Sequence, residues 1–181
     1  MKKTLTFILS LILIAAFTTS CATAPDNSAG EEVVAKLGDT GYSMILTGDF
    51  ERSSFFDIEG EDAPDNIYGI YENDKSCVIV YAGKADNTLD EELEVLLDEI
   101  TTWDAYAAGK MNRVDKFTTT GYESAGFDAD IEWEDGKKEN VKVLIIKCGE
   151  NGAVVYYFIP QGDEGEAQKR DTILSGELIK E

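Results

Sequence analysis

One run in this 181-residue chain has a helical period, and it is bracketed by strand patterns on both sides. Leu89, Leu93, Leu96, Leu97, Ile100 and Trp103 recur at spacings of three and four, which puts them on one face of a helix. Thr88 and Glu91 have the spacing of a capping box, and Asp90, Glu91 and Glu92 suit the positive end of the helix dipole. Gly109 is the predicted stop. A long amphipathic helix between two sets of strands must lay its apolar stripe on a sheet, and this excludes an all-β barrel and a helical bundle.

The strands are read from alternation. In "GYSMILTG" Tyr42, Met44 and Leu46 share one face, with Ser43, Ile45 and Thr47 on the other. "SSFFDIE" is a second short run, and "NIYGIYENDKSCVIVYA" reads as a hairpin turning at Asn73-Asp74-Lys75. After the helix, "RVDKFTTT" and "FDADIEWED" alternate. In the second, Phe127, Ala129, Ile131 and Trp133 face one way, and Asp128, Asp130, Glu132 and Glu134 the other. Asp135-Gly136 turns into "NVKVLIIKC", and Glu150-Asn151-Gly152 into "AVVYYFIP". Asp163 to Ser175 is a closing helix with Ala167, Ile173 and Leu174 inward. The expectation is an α+β domain, a mainly antiparallel sheet with a long central helix and a C-terminal helix packed on it.

The N-terminus carries an address. Lys2 and Lys3 precede an apolar run from Leu5 to Phe17, the pattern of a secretory signal and too short for a membrane span of roughly 20 residues. Ala22-Thr23-Ala24 offers an ordinary signal-peptidase site, but Pro25 follows it, and a fixed-φ ring fits an extended subsite badly. Thr18-Thr19-Ser20-Cys21 resembles a bacterial lipobox, with Thr18 standing where an aliphatic residue is usual. Residues 1–20 are then a lipoprotein signal peptide, Cys21 is the lipidated new terminus, 21–30 is a flexible tether, and 31–181 is one domain. Attachment to the extracytoplasmic face of a cell membrane follows, through diacylglyceryl and acyl groups on Cys21.

Removal of Lys2 and Lys3 leaves 14 basic residues against 36 acidic ones, a formal charge of −22. Such a surface repels nucleic acid and anionic lipid headgroups, so a lipid rather than a basic face must hold the chain to a membrane. Histidine is absent, which removes Ser–His–Asp chemistry and the commonest zinc ligand.

From Gly41 to Ser175 the order of elements resembles the PsbP-like fold, the group that includes bacterial DcrB-like lipoproteins. The stretches that carry it are "GYSMILTGDFERSS", "TLDEELEVLLDEI", "GYESAGFDADIEWEDG" with "VKVLIIKCGENGAVVYYFIP", and "AQKRDTILSGELI". The resemblance implies an α/β/α sandwich and a non-catalytic accessory or binding role, and it supplies no catalytic residues.

Candidate chemistry is sparse. The acidic runs Asp57–Asp65 and Asp128–Gly136 lack the loop pattern of a calcium site, since Asp62 and Trp133 stand where the sixth-position glycine belongs. The second run reads as the solvated half of an alternating strand, and no metal ligand or cofactor is assigned. Cys77 and Cys148 fall at strand ends; in an exported protein they form either a disulfide, if their strands are adjacent, or two small core residues. Tyr68, Tyr71, Tyr81, Trp103, Tyr156, Tyr157 and Phe158 supply core, or a binding surface if one sheet face is open.

The expected function is a membrane-anchored envelope lipoprotein that binds a protein partner or small ligand without catalysis. The alternatives are an envelope enzyme using carboxylates and tyrosines in a cleft, and a protein that captures a solute or divalent cation.

Overall fold

The computed structural model describes residues 32–47, 49–53, 67–101, 112–119, 122–133 and 136–181, with 101 and 112–119 as backbone. Strands β1 (Val33–Lys36), β2 (Tyr42–Leu46), β3 (Glu51–Arg52), β4 (Ile67–Glu72) and β5 (Cys77–Lys84) precede helix α1 (Leu89–Thr101). Then come β6 (Asn112–Thr119), β7 (Tyr122–Glu132), β8 (Lys138–Cys148), β9 (Asn151–Pro160), helix α2 (Glu164–Leu174) and β10 (Ile179–Lys180). Seven strands form one antiparallel sheet in the order β3-β4-β5-β9-β8-β7-β6, and β1-β2-β10 form a second, smaller one.

The pleat of the large sheet sorts its residues into two cores. On one face Phe127, Ala129, Ile131, Val141, Val143, Tyr81, Tyr156 and Phe158 meet Leu89, Leu93, Leu96 and Ile100 of α1. On the other, Val78, Val80, Leu144, Ile146, Val155, Tyr157 and Ile159 meet Tyr42, Met44 and Leu46 of β2 and Ile173 of α2. Strands buried on both faces read as near-continuous apolar runs, which is why "AVVYYFIP" and "VKVLII" show so few charges. The predicted mixed α+β architecture is present, with α1 on one side of the main sheet and α2 with the small sheet on the other.

Local chemistry fixes the elements. The Thr88 amide donates to Glu91 Oε2 at 2.8 Å, and the Glu91 amide donates to Thr88 Oγ1 at 3.3 Å, which closes the predicted capping box. These bonds from Thr88 hold the Glu91 carboxyl below its ordinary pKa. In the β4–β5 turn, Asn73 Oδ1 accepts from the amides of Lys75 (2.9 Å) and Ser76 (2.7 Å). Asp163 caps α2 by accepting from the Glu166 amide at 3.1 Å.

Several expectations are corrected. The small sheet's β1 and β10 went unread because strands of four and two residues are too short to show a period. The β8–β9 turn is Gly149-Glu150, one step earlier than predicted, and Gly149 has the left-handed φ of 63° that a tight hairpin requires. Most of "SSFFDIE", the run Asp57–Asp65, Trp103, Gly109 and Cys21 lie outside the described residues.

The disulfide expectation fails on register. Cys77 of β5 stands opposite Phe158 of β9, and Cys148 of β8 opposite Asn151, with β9 between their strands. Those positions are seven residue steps apart along β9, roughly 23 Å, and a disulfide needs Cα atoms within about 7 Å. Cys77 packs against the α1-side core and Cys148 against the opposite one, and neither forms a disulfide.

Candidate functional site

The two aspartates of "FDADIE" do not face open water. Asp128 and Asp130 are half-buried beneath α2, and the partner that draws them in is Arg170, 5% exposed on the helix's inner face. Arg170 Nη2 lies 3.5 Å from Asp128 Oδ1, its Nε 3.3 Å from Asp171 Oδ1, and its Nη1 donates to Asn140 Oδ1. Asn140 Nδ2 donates in turn to Asp130 Oδ1 at 2.9 Å. Lys142 Nζ closes the network, 2.8 Å from Asp171 and 3.8 Å from Asp128. Burial pushes the Asp128 carboxyl above its usual range, against the pull of Lys142 and Arg170. Burial also works upward on Asp171, but the Lys142 hydrogen bond and the two cations outweigh it and hold that carboxyl low.

Beside this network a groove of about 200 Å³ opens between β7, β8 and the last turn of α2, lined by Gly126, Lys142, Leu144, Asp171, Leu174 and Ser175. Gly126 is required by the backbone, since a Cβ there would stand 2.3 Å from the Val143 carbonyl oxygen. Leu144 and Leu174 give the groove an apolar wall, and Lys142 and Ser175 a polar rim, the composition of a binding site with a few orienting groups. Its charged groups already neutralise one another, so the arrangement suits recognition by shape rather than bond-making.

On the α1 side the aromatics are packed into the core. Tyr81 and Tyr156 pack edge-to-face with ring centroids 5.5 Å apart, and Tyr156 stacks on Phe158. The two tyrosines are 4% and 2% exposed, and burial raises both phenols far above their ordinary pKa. Glu99 of α1 points into this neighbourhood, and burial together with Glu92 pushes its pKa up to about 7. Buried Glu139 accepts from Trp133 Nε1 at 2.5 Å and pairs with Lys137 at 2.8 Å, a structural use of a carboxylate. The remaining aromatics divide between layers: Tyr71 and Tyr157 lie in the opposite core, and Tyr68 is exposed.

Asp128 and Asp130 are therefore corrected from a solvated face to the seat of α2, while Glu132 is exposed and pairs with Lys138 at 3.0 Å, and Glu134 and Asp135 lie outside the described residues. Among the described residues no group of three or more acidic or cysteine side chains is placed to hold a metal ion. The sequence reading missed Arg170, although it falls three residues after Ala167 and three before Ile173, within the helix's inward stripe. An arginine in an apolar stripe, opposite a strand whose alternate residues are aspartates, was the available signal.

No known family's sequence model matches the chain, and no curated protein matches it in sequence. Solved structures do match in fold. The cyanobacterial PsbP, CyanoP, of Synechocystis sp. PCC 6803 superposes with TM-score 0.55 at 8% identity, covering 88% of this chain and 98% of its own. LpqN, involved in cell envelope biogenesis of Mycobacterium tuberculosis, gives 0.50 at 13% identity over 82% and 89%. The Ran-binding protein Mog1p of Saccharomyces cerevisiae gives 0.49 at 14% identity over 80% and 85%. The chain has the PsbP-like fold.

Proposed function

We propose that this protein is a lipid-anchored, non-catalytic binding module of the bacterial cell envelope, and that the groove beside α2 is where it engages its ligand or partner. The observation that carries the anchoring is a matter of spacing. Cys21 ends a basic-then-apolar leader, and twelve residues later, after a small polar stretch, the first strand begins at Val33. Residues 1–20 are the removable signal, 21–30 the tether, and the diacylglyceryl and acyl groups on Cys21 the attachment. No helix among the described residues is long and apolar enough to cross a membrane. LpqN's involvement in cell envelope biogenesis supports the same address.

Binding rather than catalysis is favoured by how the titratable groups are used. Arg170, Lys142, Asp128 and Asp171 are committed to one another, and Tyr81 and Tyr156 on the α1 side are buried in the core. Fractionation of cells making the Cys21→Ala protein tests the anchor, with release from the membrane fraction as the expected result. Retention of that variant in membranes would defeat the proposal. Crosslinking in living cells, followed by identification of what is captured at Ser175, tests the groove.

A further inference from the structure

Val34 and Ile179 are two of the four large apolar side chains exposed among the described residues, and they share one surface. Val34 pairs with Ile45 across β1 and β2, and Ile179 pairs with Ser43 across β2 and β10. Paired residues point the same way, so Val34, Ile45 and Ile179 share the outer face of the small sheet, with Ile45 directly opposite Val34 and diagonal to Ile179. The polar groups among them cancel. Lys36 pairs with Glu181 at 3.4 Å, and Ser43 Oγ donates to Glu181 Oε1 at 2.6 Å. The result is a small apolar, locally neutral face on a chain whose net charge is −20.

The helix on the other side of the molecule is the opposite in character. α1 carries Asp90, Glu91, Glu92, Glu94, Asp98 and Glu99 and no basic residue, and it lies across the main sheet from the small one. An anionic bilayer repels that side and tolerates the neutral one. From Cys21 to Val33 the chain can span at most about 40 Å, and a tether of that length keeps the first strand at an effective concentration near the bilayer on the order of millimolar. Weak insertion of a few aliphatic side chains then suffices to set orientation.

We propose that the outer face of β1-β2-β10 rests on the bilayer to which Cys21 is attached, turning α1 and the rest of the acidic surface away from it. This rests on the anchoring reading above. The probe is the full lipidated protein on vesicles of phosphatidylcholine and phosphatidylglycerol, methyl-labelled at isoleucine and valine, with a nitroxide on the lipid headgroup. Val95 of α1 is the internal control, because at 46% its exposure lies between those of Val34 (52%) and Ile179 (42%). The expected result is several-fold stronger broadening at Val34, Ile45 and Ile179 than at Val95. The Val34→Glu, Ile179→Glu double variant should still float with the vesicles but lose the excess at Ile45. Equal broadening on both sides, or protection of the patch that depends on protein concentration and not on lipid, would overturn the orientation. A wild-type protein that does not float with the vesicles fails the anchoring reading itself, and the orientation falls with it.

Discussion

Arg170 Nη2 and Asp128 Oδ1 stand 3.5 Å apart across the joint between α2 and β7, with the arginine side chain only 6% exposed. The pair holds the helix at the groove's edge, and its two halves are unequal. Burial already disfavours the charged form of Asp128, so without Arg170 the carboxylate keeps its desolvation cost and loses its nearest guanidinium. Arg170→Met should therefore cost about 3 kcal/mol in urea unfolding at neutral pH. Adding Asp128→Leu should restore most of that loss, because the uncompensated charge is gone. A single variant as stable as the parent would show that the pair contributes little.

Glu99 links stability to pH. Its folded pKa of about 7 exceeds the ordinary 4.5, with Glu92, Tyr81 and Tyr156 as the titratable neighbours. As pH rises the unfolded state gives up its proton first, so the favourable contribution is fully present below about pH 4.5 and is lost by about pH 7. Glu99→Gln stays neutral and removes that loss. Above pH 7 the variant should be more stable than the parent by about 1 kcal/mol, a figure reduced for solvent screening of a partly exposed carboxylate. Urea midpoints of both proteins on either side of the transition measure it, and parallel pH profiles would rule it out.

The two fold cysteines should behave as separate thiols, and Cys77 as a slow one. Burial, and then the nearby Glu72 carboxylate, pushes the Cys77 thiol from 9.0 up to about 12. That lowers the thiolate fraction at mildly alkaline pH by a factor on the order of a thousand, and the thiolate is the reactive form. Alkylation at Cys77 should be very slow in the folded protein and fast in urea. Unfolding without reductant should expose both Cys77 and Cys148 to the reagent. Native-state labelling of Cys77 at the rate of a free cysteine would contradict its burial.

The sequence made the helices and long strands legible because their residues repeat. The Leu89–Ile100 stripe, the Thr88–Glu91 box and the Phe127–Ile131 alternation each depend on neighbours a few residues away. The small sheet was not legible, since Lys180 pairs with Tyr42 only after the whole domain has closed. The groove failed to show for a related reason. Alternation says that Asp128 and Asp130 share a face, but whether water or Arg170 covers that face is decided by where α2 docks. The cysteines show the same limit, because strand order and not strand identity decides whether two thiols meet.

The groove can be closed without disturbing what surrounds it. Ser175 stands exposed at the C-cap of α2, and its backbone amide, which donates to the Asp171 carbonyl at 3.0 Å, is unaffected by the side chain. Ser175→Trp places an indole at the mouth of the roughly 200 Å³ space between Leu144 and Leu174. An exposed substitution of this kind should change stability by no more than about 0.5 kcal/mol. Membrane association should persist, because the substitution leaves Cys21 unchanged, while the yield of crosslinked partner in cells falls several-fold. Comparing that yield with the parent's, alongside a thermal melt of each protein, separates a blocked site from a damaged fold. An undiminished yield from a fully folded variant would place the partner's contact on another face.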